Sequence, residues 1–254
     1  MNKRKTLNKN KCQSAKKVSG KNDRHGPDAG HGEAGLAEHL VSRIKRGQPG
    51  SNTCPLLIVI SAPSGAGKTT LCQRLLAARP GITRAVTCTT RPPRQGERDG
   101  VDYYFMDAGE FLKRVQAGNF LEHATVYGNS YGVLKDEVVS KLRQGKDVLL
   151  SVDVQGAASI QARALQDPEL KRSLVTVFLA PTSLEVLEQR LRQRGTDAPE
   201  VIQQRLRVAR REIAQWKRFD YLVVSDSKAE DLRRVLAIIE AEKLRSKRAQ
   251  PPKV

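Results

Sequence analysis

The chain has 254 residues, a formal net charge of +18 at pH 7 and 39% hydrophobic residues. This length suits one α/β domain with a full core and additional tails. No stretch approaches the roughly 20 apolar residues of a membrane span, and no apolar segment follows the basic N-terminus as a secretory signal would require. The four cysteines form no Cys-x-x-Cys pair, so we expect a reduced, cytoplasmic protein without a zinc site or disulfides.

The positive charge is concentrated at the two ends of the chain. Residues 1–53 hold 12 Lys/Arg against 4 Asp/Glu, and residues 241–254 hold five basic residues against one acidic residue. We predict that 1–53 is a basic, largely disordered extension with a short helix at 35–46, that 54–248 is the folded domain and that 249–254 is a tail. The extension either solubilises the protein or makes weak contact with nucleic acid or another polyanion, and its lack of aromatic residues argues against a dedicated nucleic-acid module.

A phosphate-binding turn is indicated by the sequence SAPSGAGKTT at 61–70, which follows the apolar run 56–60. A strand, a Gly-rich turn and a helix at 68–78 place backbone N–H groups around an anion, with Lys68 on the outer phosphates and Thr69 able to hold Mg²⁺. The strict pattern has a glycine where Ala62 stands. A chance Gly-rich turn is the alternative, but the order of all these parts favours a nucleoside-triphosphate site.

Predicted strands and helices alternate along the rest of the domain. The strands are expected at 84–90, 102–106, 120–126, 147–153, 174–179 and 221–224, and the helices at 107–117, 134–144, 156–164, 183–194, 199–218 and 229–247. This alternation predicts a three-layer α/β fold with a parallel sheet core. Residues 84–134 break the alternation, so we interpret them as an inserted substrate-binding lobe.

A second phosphate-binding cluster is predicted around Arg91 and Arg94, which are separated by two prolines. Two guanidiniums three residues apart can clamp a phosphate dianion, and the hydroxyls of Tyr103 and Tyr131 could donate to the same group. Taken alone, this segment could also be an ordinary basic loop, and each tyrosine could simply be half-buried packing.

The chain resembles guanylate kinases from about residue 56 to residue 247. The segments SAPSGAGKTT, TTRPPRQGE, DYYF, FLEHATVYGNSYG, VDVQG and RLRQRGTD carry the resemblance, and they occur in the order typical of that family. The resemblance implies a P-loop fold in which 84–134 is the GMP-binding lobe and about 188–205 is a helical lid. It also implies Mg²⁺-dependent, in-line transfer of the γ-phosphoryl group of ATP to GMP.

The resemblance assigns site residues one by one. The ATP site would be Ser61, Ala62, Pro63, Ser64, Gly65, Ala66, Gly67, Lys68, Thr69 and Thr70, with Thr69 also on the metal. The GMP site would be Thr87, Arg91, Arg94, Tyr103, Glu122, Tyr131 and Asp153. The catalytic set would be Lys68 with the lid arginines Arg190, Arg194 and Arg205, although an Arg-rich helix face in solvent would give the same local pattern.

Base selectivity is implied at Glu122. A carboxylate accepts from both N1–H and N2–H₂ of guanine, whereas adenine presents neither donor and would leave the buried carboxylate unpaired. Three positions depart from the family pattern: Val133 for a hydroxyl near guanine, Ser151 for a carboxylate near the metal, and Ser225 for an Asn near adenine.

Two other functions compete with a GMP kinase. A catalytically silent guanylate-kinase-like domain that binds peptides is disfavoured, because Gly65, Gly67 and Lys68 of the phosphate loop are intact. A kinase for another nucleotide or a sugar phosphate is disfavoured by Glu122 together with Thr87.

Deletion of residues 1–50 should leave kcat close to that of the full chain, because we place the start of the folded domain near residue 54. A coupled assay of ADP release with GMP and ATP compares the two proteins. A large fall in kcat would show that the extension is part of the fold.

Overall fold

The structure is a computed structural model that describes residues 53–126, 128–193, 195 and 197–249. The predicted disorder of the N-terminal extension and its helix at 35–46 lie outside the described residues. No helix within the described part of the chain is both long and apolar enough to cross a membrane.

Strands and helices alternate through the described chain. The strands are β1 (Leu57–Ser61), β2 (Ile82–Arg84), β3 (Thr87–Thr89), β4 (Tyr103–Phe105), β5 (Phe120–Val126), β6 (Asn129–Leu134), β7 (Asp147–Val152), β8 (Leu174–Ala180) and β9 (Tyr221–Val224). The helices are α1 (Lys68–Ala78), α2 (Ala108–Gln116), α3 (Lys135–Arg143), α4 (Val154–Leu165), α5 (Pro168–Ser173), α6 (Leu184–Gln193), α7 (Pro199–Ile213) and α8 (Lys228–Leu244).

The core is a five-stranded sheet in the order β2-β7-β1-β8-β9, in which every neighbouring pair is parallel. Successive side chains of β1 point to opposite faces. Ile58 and Ile60 pack in one apolar cluster with α1 and α8, whereas Leu57 and Val59 pack in a second cluster with α3, α4 and α5. These three layers confirm the predicted α/β fold with a parallel sheet core.

A second, four-stranded sheet has the order β4-β3-β6-β5, with β3 and β4 parallel and the other pairs antiparallel. Helix α2 covers one face, where Phe111 packs with Cys88 and Phe120. Asp107 caps this helix by accepting from the Glu110 N–H at 2.8 Å. On the opposite face, Val133 packs in the second core cluster, and the side chains of Thr87, Tyr103 and Tyr131 are partly exposed.

The predicted strand at 84–90 is divided between the two sheets. Its first residue ends β2 in the core sheet, and residues 87–89 form β3 in the second sheet. Between them, the Val86 N–H donates to a carboxylate oxygen of Glu137 on α3 at 2.9 Å. This side chain satisfies the backbone where the chain passes from one sheet to the other.

Other differences from the predicted elements are local. Strand β6 and helix α5 were not predicted, and the helix expected at 199–218 ends at Ile213 and is followed by a 3₁₀ turn at Trp216–Arg218. The helix expected at 229–247 is Lys228–Leu244, whereas the predicted helix at 68–78 and the strands at 120–126 and 221–224 have the observed bounds.

Buried charges join the last described residues to the start of the domain. Arg248 forms an ion pair with Glu242, and their side chains are only 1% and 2% exposed. Arg248 also donates to the carbonyls of Arg172 at 2.7 Å and Leu174 at 2.8 Å, and its own carbonyl accepts from the Cys54 N–H at 3.1 Å. The arginine thus connects α8, β8 and the segment before β1.

Replacement of Arg248 by Met should lower the free energy of unfolding by about 3–5 kcal/mol, because it removes the buried cation of this pair and leaves Glu242 with the half-exposed Arg245 and the Tyr221 hydroxyl. Urea denaturation measures the change. Arg143→Met is the matched control, since Arg143 pairs with Glu169 on the surface with 70% and 36% of the two side chains exposed. It should cost less than about 1 kcal/mol, and equal costs for both variants would contradict the role of burial.

Candidate active site

The turn between β1 and α1 is shaped to hold an anion. Gly65 and Gly67 have φ values of 93° and 103°, which side chains other than glycine rarely adopt. Gly67 is the N-cap of α1 and offers no side-chain cap, so the first N–H groups of the helix remain available to a phosphate. Ala62 is 3% exposed and packs in the first core cluster, which gives its methyl group a structural role.

The remaining loop residues divide into buried and exposed positions. Ser61, Pro63 and Ala66 are buried, whereas Ser64, Thr69 and Thr70 are exposed. The hydroxyl of Ser61 has no hydrogen-bond partner among the described residues.

Helix α6 lies directly on the phosphate loop. A Cβ atom added at Gly65 would lie 3.0 Å from Leu187 and 3.1 Å from Leu191. The Arg190 guanidinium, on the same helix, donates to the Ala66 carbonyl at 3.3 Å. The structure therefore brings Arg190, one of the three predicted lid arginines, to the phosphate loop.

Lys68 is a half-buried cation at the centre of the site. Its Nζ donates to the Val152 carbonyl at the end of β7 at 2.7 Å. Burial lowers its pKa, and the negative charge of Asp153 is the largest opposing influence. Glu212 on α7 and Glu122 on β5 also favour the charged lysine.

Two carboxylates meet at the N-terminus of α4. Asp153 caps this helix by accepting from the Gly156 N–H at 2.7 Å. A Cβ atom at Gly156 would lie 3.3 Å from Glu122 Oε2 and 3.4 Å from Asp153 Oδ1, so glycine leaves room for both acids. Burial, followed by the charge of Asp153, raises the pKa of Glu122 to about 7, although Lys68 opposes this shift. The structure thus joins the two residues predicted to bind the base.

The face of the second sheet opposite α2 carries the other residues predicted to bind the acceptor nucleotide. Thr87 on β3 pairs with Tyr103 on β4. Tyr131 on β6 pairs with Thr89 on β3 and with Ala124 on β5. The rings of Tyr103 and Tyr131 are 6.3 Å apart. Glu122 lies on the same face, because it is two positions from Ala124 along β5.

Arg91 lies at the edge of this face, directly after β3. Its guanidinium is 5.5 Å from the centre of the Tyr103 ring, and both oxygens of Glu97 accept from its Nη2, at 2.8 and 2.9 Å. Arg94 is exposed, and its backbone N–H donates to Glu97 at 2.7 Å. The two predicted phosphate-binding arginines therefore belong to one turn organised by Glu97.

The other lid arginines differ from Arg190. The side chain of Arg205 on α7 pairs with Asp197 at 3.1 Å, and no described contact joins it to the phosphate loop. Arg194 lies outside the described residues. Helices α6 and α7 pack through Leu187, Leu191, Ile202 and Ala209.

A cavity of about 460 Å³ lies beside the phosphate loop. Its lining includes Gly67, Arg74, Arg190, Ser225, Asp226 and Asp231. Ser225 is 4% exposed and donates its hydroxyl to Asp231 at 2.8 Å, so this hydroxyl is engaged within the protein.

Metal ligands are sparse around the loop. The described residues contain no group of three or more His, Cys, Asp or Glu side chains placed to hold a metal ion. Thr69 is exposed in the first turn of α1, next to the phosphate-binding N–H groups. A hard cation such as Mg²⁺ fits this setting when nucleotide phosphates and water supply the other oxygens. Ser151, where a carboxylate was expected, hydrogen-bonds to the Cys72 thiol.

Glu97 and Glu212 were not identified from the sequence. Glu212 lies near the end of α7, where burial, followed by the charge of Asp153, raises its pKa and Lys68 opposes the shift. Glu97 is the last residue of the segment TTRPPRQGE, but no role was predicted for it, and its partners Arg91 and Arg94 lie in the same turn. Glu212 belongs to none of the quoted segments, and the fold brings it close to Lys68.

Comparisons with known proteins agree with this geometry. The family model described as guanylate kinase matches residues 55–242. A guanylate kinase of Symbiobacterium thermophilum is 46% identical over 193 residues, which cover 76% of this chain and 88% of the relative. One of Coxiella burnetii is 45% identical over 188 residues, covering 74% and 88%. The crystal structure of guanylate kinase from Anaplasma phagocytophilum aligns with a TM-score of 0.59 at 31% identity, covering 79% of this chain and 92% of that one.

The carboxyl group of Glu122 should titrate with a midpoint near 7. Asp153→Asn should lower this midpoint, because it removes the neighbouring negative charge that disfavours ionisation. ¹³C NMR of glutamate-labelled protein measures both titrations, with Glu122→Gln to assign the signal. A midpoint near the ordinary value of about 4.3, or one unchanged in Asp153→Asn, would contradict the described environment.

Proposed function

The chain belongs to the guanylate kinase family, and we propose that it phosphorylates GMP with ATP at the junction of its phosphate loop and second sheet. The reaction is ATP + GMP → ADP + GDP. The observation that carries the proposal is that Lys68 of the loop lies close enough to Glu122 and Asp153 for both carboxylates to favour its charged form, and that these two carboxylates meet beside Gly156. A triphosphate-binding cation and two base-reading carboxylates are thus assembled in one site.

The acceptor base is read by the two carboxylates. Ionised Glu122 accepts from N1–H and N2–H₂ of guanine. Asp153, which is fixed by its hydrogen bond at the α4 N-terminus, is the second carboxylate beside the base. Thr87, on the same sheet face, supplies a hydroxyl near the base. Adenine would leave Glu122 facing an acceptor, which is costly in a buried site.

The acceptor phosphate is held by Arg91, Arg94, Tyr103 and Tyr131. The Arg91 guanidinium lies beside the Tyr103 ring, and this ring is close to that of Tyr131. The cation and the two tyrosine hydroxyls can therefore bind the same phosphate. The residues 84–134 therefore act as the GMP-binding lobe.

Phosphoryl transfer depends on positioning and positive charge rather than on a general base, since the GMP phosphate oxygens are already anionic nucleophiles. Lys68 lies along the β- and γ-phosphates of ATP, and residues Ser61 to Thr70 surround them. Arg190, which already contacts the loop, neutralises the transferring group. Arg194 and Arg205 join it as residues 188–205 close and exclude water.

Magnesium would be held by the Thr69 hydroxyl together with ATP phosphate oxygens and water. When bound, the ion neutralises charge on the β- and γ-phosphates. We also propose that the enzyme acts in the cytoplasm, and that its basic N-terminal extension makes at most weak contact with polyanions.

Turnover should be highest with GMP and at least about 10³-fold lower with AMP, CMP and UMP, because none of their bases presents the two adjacent donors, N1–H and N2–H₂, that guanine offers to Glu122. Glu122→Gln should lower kcat/KM for GMP by roughly 10–100-fold, the loss expected for one hydrogen bond to a charged group. A coupled assay of ADP release measures both effects. Glu110→Gln, on the outer helix α2, is the matched control.

Two results would overturn this assignment. Faster turnover with AMP than with GMP would contradict base reading by Glu122. Absence of turnover with all four nucleotides would favour a silent peptide-binding domain.

A further inference from the structure

Glu97 organises the turn that carries both phosphate-binding arginines. Its Oε2 accepts from the backbone N–H of Arg94 at 2.7 Å, and its own N–H donates to the Arg94 carbonyl at 3.0 Å. The same carboxylate accepts from Arg91 Nη2 through both oxygens, at 2.8 and 2.9 Å. One side chain therefore fixes the backbone of one arginine and the guanidinium of the other.

The Arg91 side chain is held on several sides. Its Nη1 donates to the Pro92 carbonyl at 2.6 Å, and its guanidinium lies 5.5 Å from the Tyr103 ring centre and 6.0 Å from that of Phe105. Only 12% of the side chain is exposed. A long, flexible cation is thus restricted before any phosphate binds.

The base of the turn is also fixed to the second sheet. Thr90 exchanges two hydrogen bonds with Ser130 on β6, from its N–H at 3.0 Å and to its Oγ1 at 2.8 Å. Ser130 precedes Tyr131, so the arginine turn is connected to the strand that carries the second tyrosine. Glu97 holds the opposite end of this turn.

The contact with Glu97 leaves Arg91 able to bind a second anion. A guanidinium has five N–H donors; Glu97 accepts from Nη2 and the Pro92 carbonyl accepts from Nη1, so the Nε–H and the second Nη1–H are not used by these two contacts. The backbone N–H of Arg94, followed by the Arg91 guanidinium, lowers the pKa of Glu97, so the carboxylate stays ionised at neutral pH. The ion pair can therefore persist while the remaining donors bind a phosphate.

We propose that Glu97 is a positioning residue for GMP: it holds Arg91 and the Arg94 turn in the geometry that binds the acceptor phosphate. This inference rests on the proposed function. Because the arginines are ordered in advance, phosphate binding loses less side-chain freedom and is tighter. Its effect should appear only for ligands that carry the phosphate.

Calorimetric titration of the full chain with GMP and with guanosine isolates that effect, since guanosine has the same base and ribose without the phosphate. Glu97→Gln, which keeps the shape but loses the charge, should raise Kd for GMP about tenfold and leave Kd for guanosine unchanged. KM for GMP should rise more than kcat falls, and KM for ATP should stay the same.

The matched control is Glu169→Gln, which weakens another multiple Arg–Glu contact, with Arg143 at 2.9–3.3 Å on the exposed surface. It should change none of these constants. A double-mutant cycle adds Glu97→Gln to Arg91→Ala. If Glu97 acts through Arg91, most of its effect on GMP affinity should disappear in that background.

Three results would overturn the role of Glu97. Unchanged GMP affinity would show that the ion pair is irrelevant, and tighter binding would show that the carboxylate competes with the phosphate. An equal loss of affinity for GMP and guanosine would indicate a general structural role. Wild-type protein that binds GMP no more tightly than guanosine would instead remove the proposed phosphate site itself, and the role of Glu97 with it.

Discussion

The need to stabilise the partly buried Lys68 ammonium is the constraint on which the rest of the site depends. A cation taken out of water needs nearby negative charge and a hydrogen-bond acceptor to remain charged. Val152 supplies the acceptor, and Asp153 and Glu212 are the two carboxylates with the largest influence in favour of the charged form. These groups come from the end of β7, the cap of α4 and the end of α7. Stabilising one lysine therefore brings together the core sheet, the helix that faces the acceptor lobe, and the lid helix.

The same physical arrangement recurs at the acceptor arginines. Arg91 is held by Glu97, as Lys68 is held beside Asp153, so each main cation of the site has an acidic partner before substrate arrives. In a chain of net charge +18, unpaired cations at one place would repel one another and remain mobile. The acids limit that repulsion and restrict the side chains. This arrangement leaves a carboxylate near each proposed phosphate position, and the carboxylate repels the phosphate. A guanidinium that donates through several N–H groups and the positive end of a helix dipole can offset this repulsion.

Sequence patterns predicted what depends on neighbours along the chain. The bounds of α1 follow from an apolar strand, two glycines and Lys-Thr, and the cap of α2 follows from Asp107 and Glu110. Strand β6 was missed because its residues are those of a turn, and it forms by pairing with β3 and β5. The roles of Glu97 and Glu212 were also missed because they depend on three-dimensional structure. Glu97 acts through the geometry of its own turn, and Glu212 lies near Lys68, which is distant in sequence.

The departures from the family pattern place selectivity mainly on the acceptor side. Val133 is 2% exposed and packs in the second core cluster, so the acceptor lobe loses a hydroxyl but keeps the half-buried carboxylate of Glu122. On the donor side, the Ser225 hydroxyl is already bonded to Asp231, and a buried hydroxyl engaged in this way has little left to offer a base. In the proposed reaction, recognition of the donor then depends chiefly on the phosphate loop and Arg190, which donates to that loop and lies where the triphosphate common to all donors would bind. Recognition of the acceptor depends on Glu122, whose raised pKa reflects the burial that makes an unpaired base costly.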